Sequence, residues 1–453
     1  MGKSKKEKRQ AYFFDNKALL ALILPLVVEQ LLAVLVGMAD SIMIASVGEA
    51  AVSGVSLVDQ IMVLLINAFS ALATGGAVVA GQFLGQDRRE EACKSATQMV
   101  WFITICAIGI TVLVYLGKSF ILHTVFGKID QDVMHHADIY LLIVAASIPF
   151  MALYNGGVAI FRTMGNSKVT MQISIIMNVI NIGGNAILIY GFHRGTEGVA
   201  IPTLVSRMTA AIIIIVLLCD EKRTLHIERT WRYRINWEMV KKILSIGVPN
   251  GLENSMFQLG KLAIQSTVST LGTTAIAAQA MTNMLEMLNG TAVIGVGIGL
   301  MTVVGQSLGA GKKDEAVYYM KKLMIFSEVF LIACCAVVYV LARPITMIGG
   351  MEAKSAEMCL DMMFWITIVK PIVWMFAFIP AYGMRAAGDV KFSMITSCIT
   401  MWTFRFCLCV YLIRVCGMGP MAVWIGMFTD WTVRAIVFGL RFKSGKWMEH
   451  KVV

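Results

Sequence analysis

Apolar residues run along this chain in long blocks, each closed by a short polar or charged connection. They show neither the strict alternation of strands nor the single apolar stripe of a soluble helix. A block of roughly 20 apolar residues is long enough to cross a bilayer as a helix. Twelve such spans are predicted, at 18–46, 52–80, 95–117, 135–160, 169–192, 198–219, 240–270, 274–304, 315–342, 357–384, 392–414 and 418–440. Backbone polar groups in hydrocarbon must bond within their own segment, so the fold class is an all-α integral membrane protein with twelve transmembrane helices.

The spans repeat. Pro25 and Pro249, Glu29 and Glu253, Gly48 and Gly272, Gly81-Gln82 and Gly305-Gln306, and Glu91-Ala92 and Glu315-Ala316 are each 224 residues apart. Six spans per half is an even number, so both halves enter the membrane from one side and form a parallel internal repeat. The expected organisation is a basic N-terminus at 1–17, a six-helix N-lobe at 18–219, a linker at 220–239, a six-helix C-lobe at 240–440 and a tail at 441–453.

Composition agrees with this pattern: 58% of the 453 residues are hydrophobic and 15% charged, against about a quarter charged in soluble domains. The net charge of +11 does not imply nucleic acid, because the basic residues lie between apolar blocks, where an anionic leaflet accounts for them. Most of the 39 Lys and Arg fall at the N-terminus, in the even-numbered connections and in the tail. That asymmetry places both termini in the cytoplasm of a multi-pass cell-membrane protein, with the lipid bilayer as its surroundings. The Lys-rich start precedes an apolar run too long for a signal peptide and is expected to stay on the chain. The ten cysteines have no metal-ligand spacing and read as packing residues.

Charged groups inside apolar blocks carry the candidate chemistry. Asp40 stands in the first block with no Lys or Arg beside it. A carboxylate there must pair, bind a cation or take a proton, unless the helix end brings it to headgroup water. In span five Ser174, Asn178, Asn181 and Asn185 share one helix face. Their oxygens are hard ligands for a small cation such as Na⁺, and the alternative use of such a stripe is interhelical hydrogen bonding. The C-lobe is mixed in charge instead: Glu253, Lys261, Glu286, Lys370, Arg405, Asp430 and Arg434 fall in predicted spans, with Asp430 and Arg434 spaced to pair. Asn254, Gln258, Lys261 and Gln265 add a polar face along span seven. Lys261, Lys370 and Arg405 either bridge internally to Glu253 and Glu286 or face a substrate cavity with Glu253, Gln258, Gln265, Asn283 and Glu286.

Pro25, Gly37-Met38-Ala39-Asp40 and Ser46-Val47-Gly48 resemble the first helix of the multidrug and toxic compound extrusion (MATE) transporters. So do Gly81-Gln82-Phe83-Leu84-Gly85 with its copy at 305–309, Gly247-Val248-Pro249, and Arg385-Ala386-Ala387-Gly388-Asp389. The resemblance covers nearly the whole chain. It implies two six-helix lobes and export of amphipathic, often cationic, small molecules in exchange for H⁺ or Na⁺, with no cofactor and a monomer as the working form. It also implies a cation or proton site at Asp40, Asn178, Asn181 and Asn185, with Asn185 where two-carboxylate members carry Asp, so that Asp40 acts without a second acid. Phe257 stands where NorM-like members place a Glu, and span ten offers Lys370 rather than an acid, so the chain is more similar to the DinF-like branch.

Gly305-Gln306-Ser307-Leu308-Gly309 fits the hydrolase elbow, but no strand precedes it and its copy has Phe83 in the Ser position, so it reads as a loop motif. Gly295, Gly297 and Gly299 lie in an apolar block and read as close helix packing. No Walker motif is present. Two rivals to an antiporter are a flippase for a lipid-linked or anionic precursor, which would also want cavity cations, and a membrane-embedded enzyme. Against the enzyme, the six His are scattered.

Overall fold

A computed structural model of the chain describes residues 13–127, 129–228 and 234–453. Among these residues the protein is all helix and loop, with no strand. Twelve helical stretches match the twelve predicted spans: α1 Asn16–Ala45, α2 Glu49–Gly85, α3 Arg89–Leu116, α4 as the pair Gln131–Ala145 and Ile148–Thr163, α5 Ser167–Gly191, α6 Glu197–Leu218, α7 Trp237–Val268, α8 Thr273–Gly309, α9 Lys313–Ile348, α10 Ala353–Ala386, α11 Val390–Arg414 and α12 Met421–Ser444. Ten are long and apolar enough to cross a bilayer, and α4, bent by 50° at its break, makes an eleventh. The exception is α7, because Glu238, Lys241, Lys242, Asn250, Glu253, Asn254, Gln258, Lys261 and Gln265 interrupt its apolar face.

Among the described residues the helices form two compact units: Leu32–Gly251, and the segment up to Leu31 together with Leu252–Val452. These units differ from the contiguous lobes 18–219 and 240–440, since the opening part of each half's first helix belongs with the other half's helices. Each division falls shortly after a helix-interior proline, Pro25 in α1 and Pro249 in α7, where the missing N–H weakens the helix ladder.

Small residues hold the exchanged segments. In the first unit, a Cβ on Gly75 of α2 would come within 2.4 Å of the Ile243 carbonyl oxygen on α7. In the second, a Cβ on Gly295 of α8 would lie 2.8 Å from the Val27 amide nitrogen on α1, and one on Gly299 would press on Ile23. Gly297 is packed likewise, under the ring of Tyr382. Backbone this close leaves no room for a side chain, which is how small residues bring membrane helices together.

The Gly81–Gly85 and Gly305–Gly309 motifs are not loops. They form the closing turns of α2 and α8, and the left-handed turns that follow are made by Asp87 and by Gly311.

Candidate functional site

In the Leu32–Gly251 unit, Asp40 lies half-buried near the C-terminal end of α1. It is not left to headgroup water. Asn185 Nδ2, from fully buried Asn185 on α5, donates to Asp40 Oδ1 at 2.8 Å. The amide of Asn181, one helical turn earlier, lies between Asp40 and Thr203 of α6. With its nitrogen toward Asp40 it donates to Oδ1 at 2.9 Å and its oxygen accepts from Thr203 Oγ1 at 3.1 Å. With the amide turned over, its nitrogen donates to Thr203 Oγ1 at 3.1 Å and its oxygen faces the carboxylate. The first arrangement suits ionised Asp40. The second suits Asp40 that carries a proton or shares a cation with the amide oxygen. Asn185 Oδ1, buried beside Asp40, has no hydrogen-bond partner among the described residues. It is therefore an uncommitted hard oxygen at this site.

Two further charges act on Asp40: Asp59 on α2 and Arg207 on α6. Tyr140 of α4, itself buried, donates its hydroxyl proton to Asp59 Oδ1 at 2.9 Å. Arg207 Nη1 donates to Ser147 Oγ at 2.9 Å. The charges of Asp59 and Arg207 thus act on Asp40 in opposite senses. Asp59 is a second acid whose charge acts on Asp40, standing on α2 and not at the Asn185 position. Asp59 and Arg207 were open to the rule that singled out Asp40, a charged residue within an apolar block. Tyr140, Thr203 and Ser147 carry no such mark, because hydroxyls in membrane helices are commonplace. Asn178 stands apart from the cluster: its Nδ2 donates to Ser174 Oγ on its own helix at 3.5 Å.

In the other unit the ionisable residues singled out within predicted spans fall, among the described residues, into three groups and not one. Lys370 of α10, fully buried, is paired with Glu286 of α8. It also donates to the Glu286 carbonyl at 3.1 Å and to Asn289 Oδ1, and lies 5.1 Å from the Trp374 ring centre. Gly290 makes the space, since a Cβ there would stand 2.9 Å from Lys370 Nζ. Glu253 belongs elsewhere: Arg385 Nη2 donates to it at 3.0 Å and Ser393 Oγ at 3.3 Å.

The third group surrounds Phe257 of α7. Asp430 of α12, fully buried, faces Arg405 Nη2 at 2.8 Å and Arg434 Nη2 at 3.0 Å. Arg405 lies in a wide, π-type turn of α11, Met401–Cys407, and Gly426 lets α12 approach that turn, since a Cβ there would meet the Arg405 carbonyl oxygen at 2.8 Å. Lys261 Nζ lies 5.2 Å from the Phe257 ring centre, with the guanidinium carbons of Arg405 and Arg434 at 4.9 and 5.9 Å. Internal bridging therefore holds for Lys370 and Arg405, with Arg405 taking Asp430 rather than either Glu. Lys261 has no carboxylate partner among the described residues. Gln265 and Asn283 are exposed, Asn283 accepting from Gln279 Nε2 at 3.3 Å, and Gln258 is half-buried.

Comparison with known proteins agrees with this duplicated architecture. The MatE family model matches residues 25–187 and 249–411, two ranges displaced by the repeat itself. The uncharacterized transporter YisQ of Bacillus subtilis is 27% identical over 442 residues, 95% of each chain. A probable multidrug resistance protein NorM of Thermotoga maritima is 25% identical over 452 residues, covering 97% of this chain and 94% of that one. Among solved structures, an outward-facing multidrug resistance MATE family transporter superposes with a TM-score of 0.89 at 18% identity, over 98% of this chain and all of that one. A MATE crystallised in complex with MaL6 gives 0.88 at 18% identity, over 95% and 97%. At that identity the structural likeness speaks for the fold alone.

Proposed function

Because the chain belongs to the MatE family, a family of transporters rather than enzymes, we propose that it is a secondary antiporter: it exports amphipathic organic compounds in exchange for H⁺ or Na⁺ by alternating access. It works as a monomer in the cell membrane with both termini in the cytoplasm, and in its coupling site it belongs with the DinF-like branch.

The observation that carries this reading is the Asp40 cluster. Asp40 accepts from Asn185 and, with the Asn181 nitrogen turned toward it, from Asn181 as well. A proton on Asp40 turns the acid into a donor toward the Asn181 oxygen. A Na⁺ finds the carboxylate, the uncommitted Asn185 oxygen and the Asn181 oxygen on one side of α5. Either ion neutralises the Asp40 carboxylate, so the two compete for one site. Coupling requires that the ion and the exported compound favour different conformations of the carrier. Uptake of the ion from outside then favours release of the compound, and delivery of the ion inside resets the cycle.

The experiment is efflux from proteoliposomes holding the purified protein, with Na⁺ and H⁺ gradients imposed one at a time. Asp40→Asn, which keeps the shape and the Asn185 contact region but removes the titratable charge, is expected to reduce gradient-driven efflux to the level of empty liposomes while substrate binding persists. Full efflux by Asp40→Asn would move coupling away from this cluster.

A further inference from the structure

Within the second unit the group around Phe257 has more positive than negative charge. Lys261, Arg405 and Arg434 are cations, and Asp430 is the carboxylate that faces the two arginines. Glu286, the other acid whose charge acts on Lys261, is committed to Lys370. Two positive charges are therefore left without a fixed partner in a membrane-spanning part of the chain, where uncompensated charge is expensive. The donors show the same excess: Arg405 Nε and Arg434 Nε are buried without a hydrogen-bond acceptor among the described residues. Both arginines are buried, so their excess charge acts on the site as a field and not by direct contact. The group is also layered. Arg405 and Arg434 are 2% exposed, Phe257 is half-buried with both guanidinium carbons within 5.9 Å of its ring centre, and Lys261 is exposed near the same ring. Phe257 continues into an apolar wall with Ile264 and Met401.

We propose that this group is a binding site for an organic anion, a carboxylate or sulfonate carried on an amphipathic body. The acidic group is held by Lys261 over the field of Arg405, and the apolar body lies along Phe257. Asp430 keeps the two arginines in place and neutralises one of their charges, so the remainder is directed at the ligand. Lys370 has no part in it, being closed off by Glu286 and Asn289. The inference names the charge class of the compound exported in the reading above and rests on that reading for transport, but not for binding. It departs from the cationic cargo that the sequence resemblance implies.

The test is equilibrium dialysis of the full-length protein in detergent with two probes of matched size, naphthalene-2-carboxylate and 2-naphthylmethylammonium. The carboxylate is expected to bind at least tenfold more tightly than the ammonium. Lys261 is exposed, so Lys261→Gln should fold, and the loss of one charge-assisted contact should weaken carboxylate binding about tenfold. Lys261→Glu, which brings the group to zero net charge, should abolish the preference. Equal binding of both probes, a Lys261→Gln affinity within twofold of the unaltered protein, or displacement of the carboxylate by an equal concentration of chloride would each overturn the assignment. The readout is binding, so it is separable from coupling. If the carboxylate binds but no gradient drives its efflux, the site stands and the antiporter reading fails. If efflux of ammonium compounds is driven while the carboxylate does not bind, the antiporter reading stands and the site fails.

Discussion

In the Leu32–Gly251 unit, the charges of Asp59 and Arg207 act on Asp40; in the other unit, Arg405 and Arg434 share one carboxylate, Asp430, with Lys261 near the same Phe257 ring. The two clusters are built on copies of one repeat, and each is absent from the other copy. At the 224-residue offset Asp40 corresponds to Ile264, Asp59 to Asn283 and Lys261 to Gly37, while the asparagine of Asn185 is matched by Cys407 and Arg405 by Gly183 at 222. What the copies keep is the packing: Gly75 and Gly299, the helix-interior prolines, and the closing turns of α2 and α8. Duplication preserved the contacts that bring backbones together and left the polar interior free to take opposite charge.

That comparison can be broken at either cluster. The largest effect on stability should come from Asp430→Asn, which strands two buried arginines; breaking a buried ion pair costs about 3–5 kcal/mol. Thermal unfolding of the purified protein should fall steeply, whereas Asp40→Asn, half-buried and retaining an amide in place of the acid, should unfold near the temperature of the unaltered protein. Equal destabilisation by both would show that the Asp40 cluster is a structural ion network like the other.

A smaller loss is expected from Gly75→Ala and Gly295→Ala. Each presses a methyl on backbone atoms that have no rotamer to change, and such overpacking costs about 1–3 kcal/mol. Lower yield of folded protein and a lower melting temperature would be the measurement, and unchanged values for both would remove the close-approach account of the exchanged helix segments.

The mildest changes refine the Asp40 side. Tyr140→Phe removes the hydroxyl that donates to Asp59 and should cost about 1 kcal/mol while altering the pH dependence of efflux. Asn185→Asp places a third carboxylate beside Asp40 and Asp59 and should make efflux more strongly dependent on pH. A flat pH profile in both variants would separate Asp59 from the coupling event.

Much of this molecule is visible in one dimension. The apolar blocks determine the helices because backbone hydrogen bonds have no other partners in hydrocarbon. The constant offset between Pro25 and Pro249 or Gly81 and Gly305 determines the duplication. Asp40, Lys370 and Arg405 are marked by their charge alone. Tertiary structure decided the partners. Asn185 and not Asn178 meets Asp40, across 145 residues; Lys370 takes Glu286 across 84; Arg385 claims Glu253 across 132. It also decided that the opening part of α1 packs with the second half and that of α7 with the first. The physical reason is that helix formation depends on neighbours a turn away, while the fate of a charge depends on which helix lies opposite, and sequence spacing says nothing of that distance.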